Sequence, residues 1–169
     1  FLLAARPRID LMKTLAEESR DQNLILFFQV VGRYAGLGEF TRERFDRLPL
    51  KERAALCRGW IEKKRNLLAH ISALDLSKIG LTSIPEELGY FTGLTEIDLS
   101  GNCLGFLDGQ LVDFLPNVTH LNLSCNKIRA IDPLFFSGSS TLSWLSLKRN
   151  ELKTLPPSFG TGLNGLERV

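Results

Sequence analysis

Asp75, Glu96, Asp98, His120, Asn122, Trp144, Lys148 and Arg149 are the side chains whose types and spacing could do chemistry in this 169-residue chain. Two carboxylates held close together suit general acid–base work or a hard cation, an imidazole can move a proton, and an indole among charges suits recognition. The catalytic reading lacks its other parts. His70 and His120 are the only histidines, and no HExxH, CxxC, GxSxG or P-loop spacing occurs. No general acid or nucleophile accompanies the Asp75–Asp98 pair, and a metal ion would need more ligands than Asp75, Asp98 and Asn122 provide. The sequence therefore predicts no enzyme, no cofactor and no metal site. Binding is the chemistry left to these residues.

Their spacing is regular, and the regularity identifies the elements that carry them. The stretch VTHLNLSCNKIRAI (118–131) overlays LTEIDLSGNCLGFL 24 residues earlier and LSWLSLKRNELKTL 24 residues later, and ISALDLSKIGLTSI lies a further 23 residues upstream. The shared template is L-x-x-L-x-L-x-x-N-x-L-x-x-L, followed by a ten-residue return with one more apolar position. Its fourth column reads Leu74, Ile97, Leu121, Leu145, its sixth Leu76, Leu99, Leu123, Leu147, and its last Ile84, Leu107, Ile131, Leu155. The return column reads Leu88, Leu111, Phe135, Phe159. Every cell is apolar in a chain that is 44% hydrophobic, so composition does not explain the register.

This pattern resembles the leucine-rich repeat. The resemblance covers 71–169, with copies at 71–93, 94–117, 118–141 and 142–165 and the start of a fifth at 166. It implies an α/β solenoid with a parallel sheet on its concave face, preceded by a small helical N-terminal region at 1–70. The physics agrees. Alternate residues of a strand face opposite sides, so the fourth and sixth positions point inward while the third, fifth and seventh point outward. One coil cannot bury its apolar row alone, whereas stacked coils bury a continuous one. The sharp turn after each strand carries backbone groups without ladder partners. Asn102, Asn126 and Asn150 can satisfy them in their own coil and the next, because an amide both donates and accepts. The first copy has Ile79 in place of that Asn, which predicts contact with something packed on the open edge.

The segment upstream is the candidate. RIDLMKTLAEESRDQNLILFFQVVGRYAG reads as helical until Gly32, Gly36 and Gly38 break it, and Thr41 can cap a short helix RERFDRL. Pro49 stands near the start of another helix, where proline is tolerated. In that helix Leu56, Trp60, Leu67 and Ile71 fall roughly on one face, with Lys63, Lys64 and Arg65 opposite. A solenoid's open edge needs a cap, so capping is the expected role of 1–70.

Composition narrows the function. The longest dense apolar run, LILFFQVV, is too short to span a bilayer, and FLLAARPR lacks the form of a signal peptide. The chain opens on Phe and stops inside a repeat, so it reads as an excerpt of a longer protein. Cys57, Cys103 and Cys125 are odd in number and unclustered, which points to free thiols and a cytoplasmic setting. Asn117-Val-Thr and Asn122-Leu-Ser match glycosylation sequons, a short pattern that recurs by chance. Residues 1–70 hold 14 basic and 9 acidic side chains, and 71–169 hold 7 and 10. These mixed-sign charges read as solvated surface rather than a nucleic-acid or membrane patch.

What remains is the outward face of the sheet. Its third-position column reads Ala73, Glu96, His120, Trp144 and its fifth Asp75, Asp98, Asn122, Ser146, with Lys148 and Arg149 at the far end. A concave, mixed-charge surface with one large aromatic suits a protein or peptide partner. A second reading is substrate recognition within a ubiquitin-ligase system. LPLKERAALCRGW looks like the later half of an F-box, where Cys-Arg-x-Trp precedes the repeats, although NLILFFQVVGRYAG is a poor match to the opening half. The passage ALDLSKIGLTSIPEELGYFTGLTEIDLSGN after a Trp-bearing helix also resembles bacterial effectors acting in host cytoplasm, with a catalytic domain outside this stretch.

Overall fold

The computed structural model describes residues 6–34, 45–109, 114–136 and 141–159. Two helices, α1 (Arg6–Tyr34) and α2 (Leu50–Leu68), precede six short strands: β1 (Ala73–Asp75), β2 (Glu96–Asp98), β3 (Phe106–Leu107), β4 (His120–Asn122), β5 (Ala130–Ile131) and β6 (Trp144–Ser146). β1, β2, β4 and β6 form one parallel sheet in that order, and β3 and β5 pair parallel in a second, two-stranded sheet. Short 3-10 helices at Glu86–Tyr90 and Pro133–Phe136 lie in the returns of the first and third coils.

The columns of the template are the register of the sheet. Leu74, Ile97, Leu121 and Leu145 stand side by side across the four strands, as do Ala73, Glu96, His120 and Trp144. The first set is buried. A slip of one residue would exchange the two sets, so burying the leucines also fixes which side chains face out. Leu155 departs from its column. It is 46% exposed and lies in the last coil of the described residues. Leu111 lies outside the described residues.

Each turn is closed by its Asn, in a direction opposite to the sequence expectation. Asn102 Oδ1 accepts from the N–H groups of Ile79, Gly80 and Leu81, while its Nδ2 donates to the carbonyls of Leu76 and Leu99. Asn126 and Asn150 repeat the arrangement. The neighbour served is the preceding coil, not the next. The residue before each Asn position takes a left-handed backbone, with φ of 56° at Lys78, 69° at Gly101, 57° at Cys125 and 55° at Arg149. Only Gly101 is the residue type that this conformation favours, and a Cβ there would also stand 2.8 Å from the Lys78 side chain.

At the first coil the helices replace a missing neighbour. The C-terminal half of α1 buries Leu24, Ile25, Phe27, Phe28 and Val31 in the same core cluster as the coils. Phe27 meets Phe91 edge-on with ring centroids 5.7 Å apart. Buried Asn23 reaches the first coil from the side opposite Asn102: its Oδ1 accepts the Thr82 N–H and its Nδ2 donates to the Thr82 and Ser83 hydroxyls. Ile79 is half-buried and borders, with Val30, a cleft between α1 and the first turn. Gly93 marks the other junction, where a Cβ would lie 2.3 Å from the Ala69 carbonyl oxygen at the end of α2.

Two expectations about the helices need correction. α1 runs through Gly32 to Tyr34; an interior Gly costs only about 1 kcal/mol, and the buried side chains around it outweigh that. Gly36, Gly38 and Thr41 lie outside the described residues. In α2 the buried set is Ala54, Cys57, Trp60, Ile61 and Leu68, while Leu56 and Leu67 are 39% and 55% exposed. Trp60 fits both stripes, and its edge-on contact with Phe28 (5.2 Å) turns the helix toward the stripe of smaller residues.

Candidate functional site: the concave face of the sheet

The outward side chains of β1, β2, β4 and β6 line an open concavity of about 570 Å³. Asp75, Glu96, Asp98, His120, Asn122 and Trp144 all border it, so six of the eight sequence-derived site residues come together. Lys148 and Arg149 do not border it; they stand exposed in the turn after β6.

The fifth-position column closes turns. Asp75 Oδ1 accepts the Ser77 N–H at 2.8 Å, and Asp98 Oδ1 accepts the Ser100 N–H at 2.8 Å. Asn122 Oδ1 accepts the Ser124 N–H and hydroxyl, and its Nδ2 donates to Asp98 Oδ2 at 3.1 Å. The Ser77 backbone and side chain, aided by the charge of Lys78, hold the Asp75 carboxyl below the usual carboxylate range. A group poised for proton transfer would instead be pushed toward neutrality, so Asp75 fastens its turn, and Asp98 makes the same bond to the Ser100 N–H. Ser146 ends the column and is buried.

The third-position column is different. Glu96 and His120 are exposed and Trp144 is half-buried. The His120 and Trp144 rings stack with centroids 6.3 Å apart and planes at 24°. The Thr119 hydroxyl lies 2.9 Å from His120 Nδ1 and steadies the imidazole. Thr95, Thr119 and Ser143 also donate their hydroxyls to the carbonyls of Ser72, Thr95 and Thr119 in the preceding coil. That ladder was readable as a run of Ser and Thr at the second template position. It stiffens the strands that present the column.

Among the described residues no group of three or more His, Cys, Asp or Glu could hold a metal ion, and no helix is long and apolar enough to cross a membrane. Asn117 is exposed and its amide donates to the Thr92 carbonyl, whereas Asn122 is committed within the sheet. Cys57 is buried, and burial pushes its thiol up to about 12.

Residues 69–128 and 116–169 match the family model of the leucine rich repeat. The chain belongs to the leucine-rich repeat family. It is similar to the ectodomain of BIR2 from Arabidopsis thaliana, at 32% identity over 56% of this chain and 50% of that one, with a TM-score of 0.47. A leucine-rich repeat protein of Leptospira interrogans is 26% identical over 63% of this chain and 32% of that one, with a TM-score of 0.53. The leucine-rich repeat domain of the type III effector XopL is 21% identical over 86% of this chain and 47% of that one, with a TM-score of 0.48. The chain thus spans about half or less of these structures. No curated protein matches it. Here the buried leucines form the frame of the coils and the Glu96–His120–Trp144 row stands on its outward face.

Sequence reasoning missed a polar cluster at the junction of helices and coils. Arg58 of α2 donates to Asp21 of α1 at 2.9 Å and to Glu87 of the first return at 3.1 Å. Both carboxylates are buried, at 8% and 7% exposure. Desolvation raises the Glu87 carboxyl above its ordinary range despite Arg58, while the two carboxylates hold Arg58 firmly charged. The cluster borders a second cavity of about 680 Å³ with Phe106 and Phe114.

Proposed function

We propose that this leucine-rich repeat chain is a protein-interaction module that holds a protein or peptide segment on its concave face, without catalysis of its own. The observation that carries this reading is the Glu96–His120–Trp144 row, held in register by three strands and open to the concavity. Exposed aromatic surface costs solubility, and aromatics at the centre of a concave surface often dominate binding energy. Asp75, Asp98 and Asn122 flank the row, and Lys148 and Arg149 offer a rim of opposite charge. Cytoplasmic residence belongs to the same proposal, on the motive of odd, unclustered cysteines.

Trp144→Ala tests it. A peptide selected against the chain from a random library should bind the variant about 2 kcal/mol or more weaker, while the urea midpoint stays near that of the parent chain. A variant that binds normally but melts much earlier would assign Trp144 to the fold instead.

A further inference from the structure

The chemistry of the concave face also says what kind of segment it takes, an inference that rests on the reading just given. The residues bordering the concavity include the carboxylates of Asp75, Glu96 and Asp98 and no lysine or arginine. These three acids are not equivalent. Asp98 is committed at both oxygens, to the Ser100 N–H and the Asn122 amide. Asp75 is committed at one, feels the charge of Lys78, and shares a neighbouring cleft with Arg33. The Glu96 carboxylate is exposed and has no hydrogen bond or ion pair among the described residues, its backbone N–H alone donating, to the Ser72 carbonyl.

Next to Glu96 in register stands His120, and next to His120 stands Trp144. Adjacent strands lie about 4.8 Å apart, so an unpaired carboxylate and two flat rings follow one another within the reach of one long side chain. A carboxylate attracts a cation, and an aromatic face favours one. Planar guanidinium suits this row better than ammonium, because it pairs with a carboxylate through two N–H groups while its plane lies against a ring. We propose that the concave face binds a basic, extended segment of a partner protein, with an arginine paired to Glu96 and lying against the His120–Trp144 faces. The neighbouring carboxylate of Asp75 adds attraction along the groove, and no cation of the described residues competes on the row.

Random dodecapeptides displayed on phage and selected on the full chain test this directly. The selected pool should be rich in arginine. Resynthesis of a selected peptide with citrulline, a neutral near-isostere, should weaken binding at least about tenfold. Glu96→Gln should weaken the arginine peptide similarly and abolish the difference between the two peptides, whereas Lys127→Gln, at an exposed residue off the concave face, should preserve that difference. Equal urea midpoints for the parent chain and Glu96→Gln would show that folding is unchanged. A Trp144-dependent pool without arginine, or binding indifferent to citrulline or to Glu96→Gln, would overturn the inference and leave the concave-face reading standing. A pool indifferent to Trp144→Ala, or an empty one, would count against both.

Discussion

Asn126 carries the geometry of two coils on one amide. Its Nδ2 donates to the carbonyls of Leu99 and Leu123, and its Oδ1 accepts the Leu104 N–H, all in buried surroundings. Replacing it strips groups that water does not reach, at about 1–3 kcal/mol for each group left unsatisfied. Lys127, the next residue, points outward. Asn126→Ala should therefore lower the urea midpoint clearly, while Lys127→Ala should change stability by less than about 0.5 kcal/mol. Equal midpoints would refute the ladder. This much was legible in the sequence, because the Asn recurs in phase with the leucines. Its direction was not, since a repeat looks the same read toward either neighbour. The structure breaks that symmetry at all three positions, since Asn102, Asn126 and Asn150 each accept from the coil before.

At the scale of elements, the junction of α1, α2 and the first coil rests on Arg58 between Asp21 and Glu87. Glu87's carboxyl is raised above its unfolded value, so its stabilising contribution is complete below the unfolded pKa of about 4.3 and is lost as pH rises through the folded value. Glu87→Gln should remove that decline with little other effect. Arg58→Met leaves two buried carboxylates unpaired; with the guanidinium side chain 44% exposed, the cost should be about 1–3 kcal/mol near neutral pH, below that of a fully buried pair. It should shrink as pH falls through the folded value toward about 4.3, because Glu87 takes up its proton above the unfolded pKa. Urea midpoints of the three proteins at both pH values test this, and an Arg58→Met variant matching the parent at neutral pH would refute the junction. None of it was legible, because Asp21, Arg58 and Glu87 are ordinary surface residue types until the fold brings them together. The face of α2 was misread for a related reason. Leu56 and Leu67 outweigh Cys57 and Ala54 in hydrophobicity, but the packing of Trp60 on Phe28 decides which stripe turns inward.

Over the whole molecule, helices and coils share one core cluster. We propose that residues 1–70 serve as the solenoid's N-terminal cap, with Asn23 and Phe27 standing where a preceding coil would be. A fragment comprising 71–169 should then lose cooperative unfolding or aggregate, because Phe91 and the Thr82 N–H lose their partners. Cooperative unfolding of that fragment at an unchanged midpoint would contradict the cap. The fold was legible because a periodic core leaves a periodic sequence, and the strand parity that buries the leucines also located the outward row. Nothing periodic marks which outward residues meet a partner, so the site must be tested by binding. The two tryptophans provide the means: Trp60 is buried under Phe28, and Trp144 borders the concavity. In a ¹H–¹⁵N titration with a selected peptide, the Trp144 indole resonance should shift progressively while that of Trp60 stays in place. A bound peptide that moves the Trp60 resonance alone, or neither, would contradict binding on the concave face.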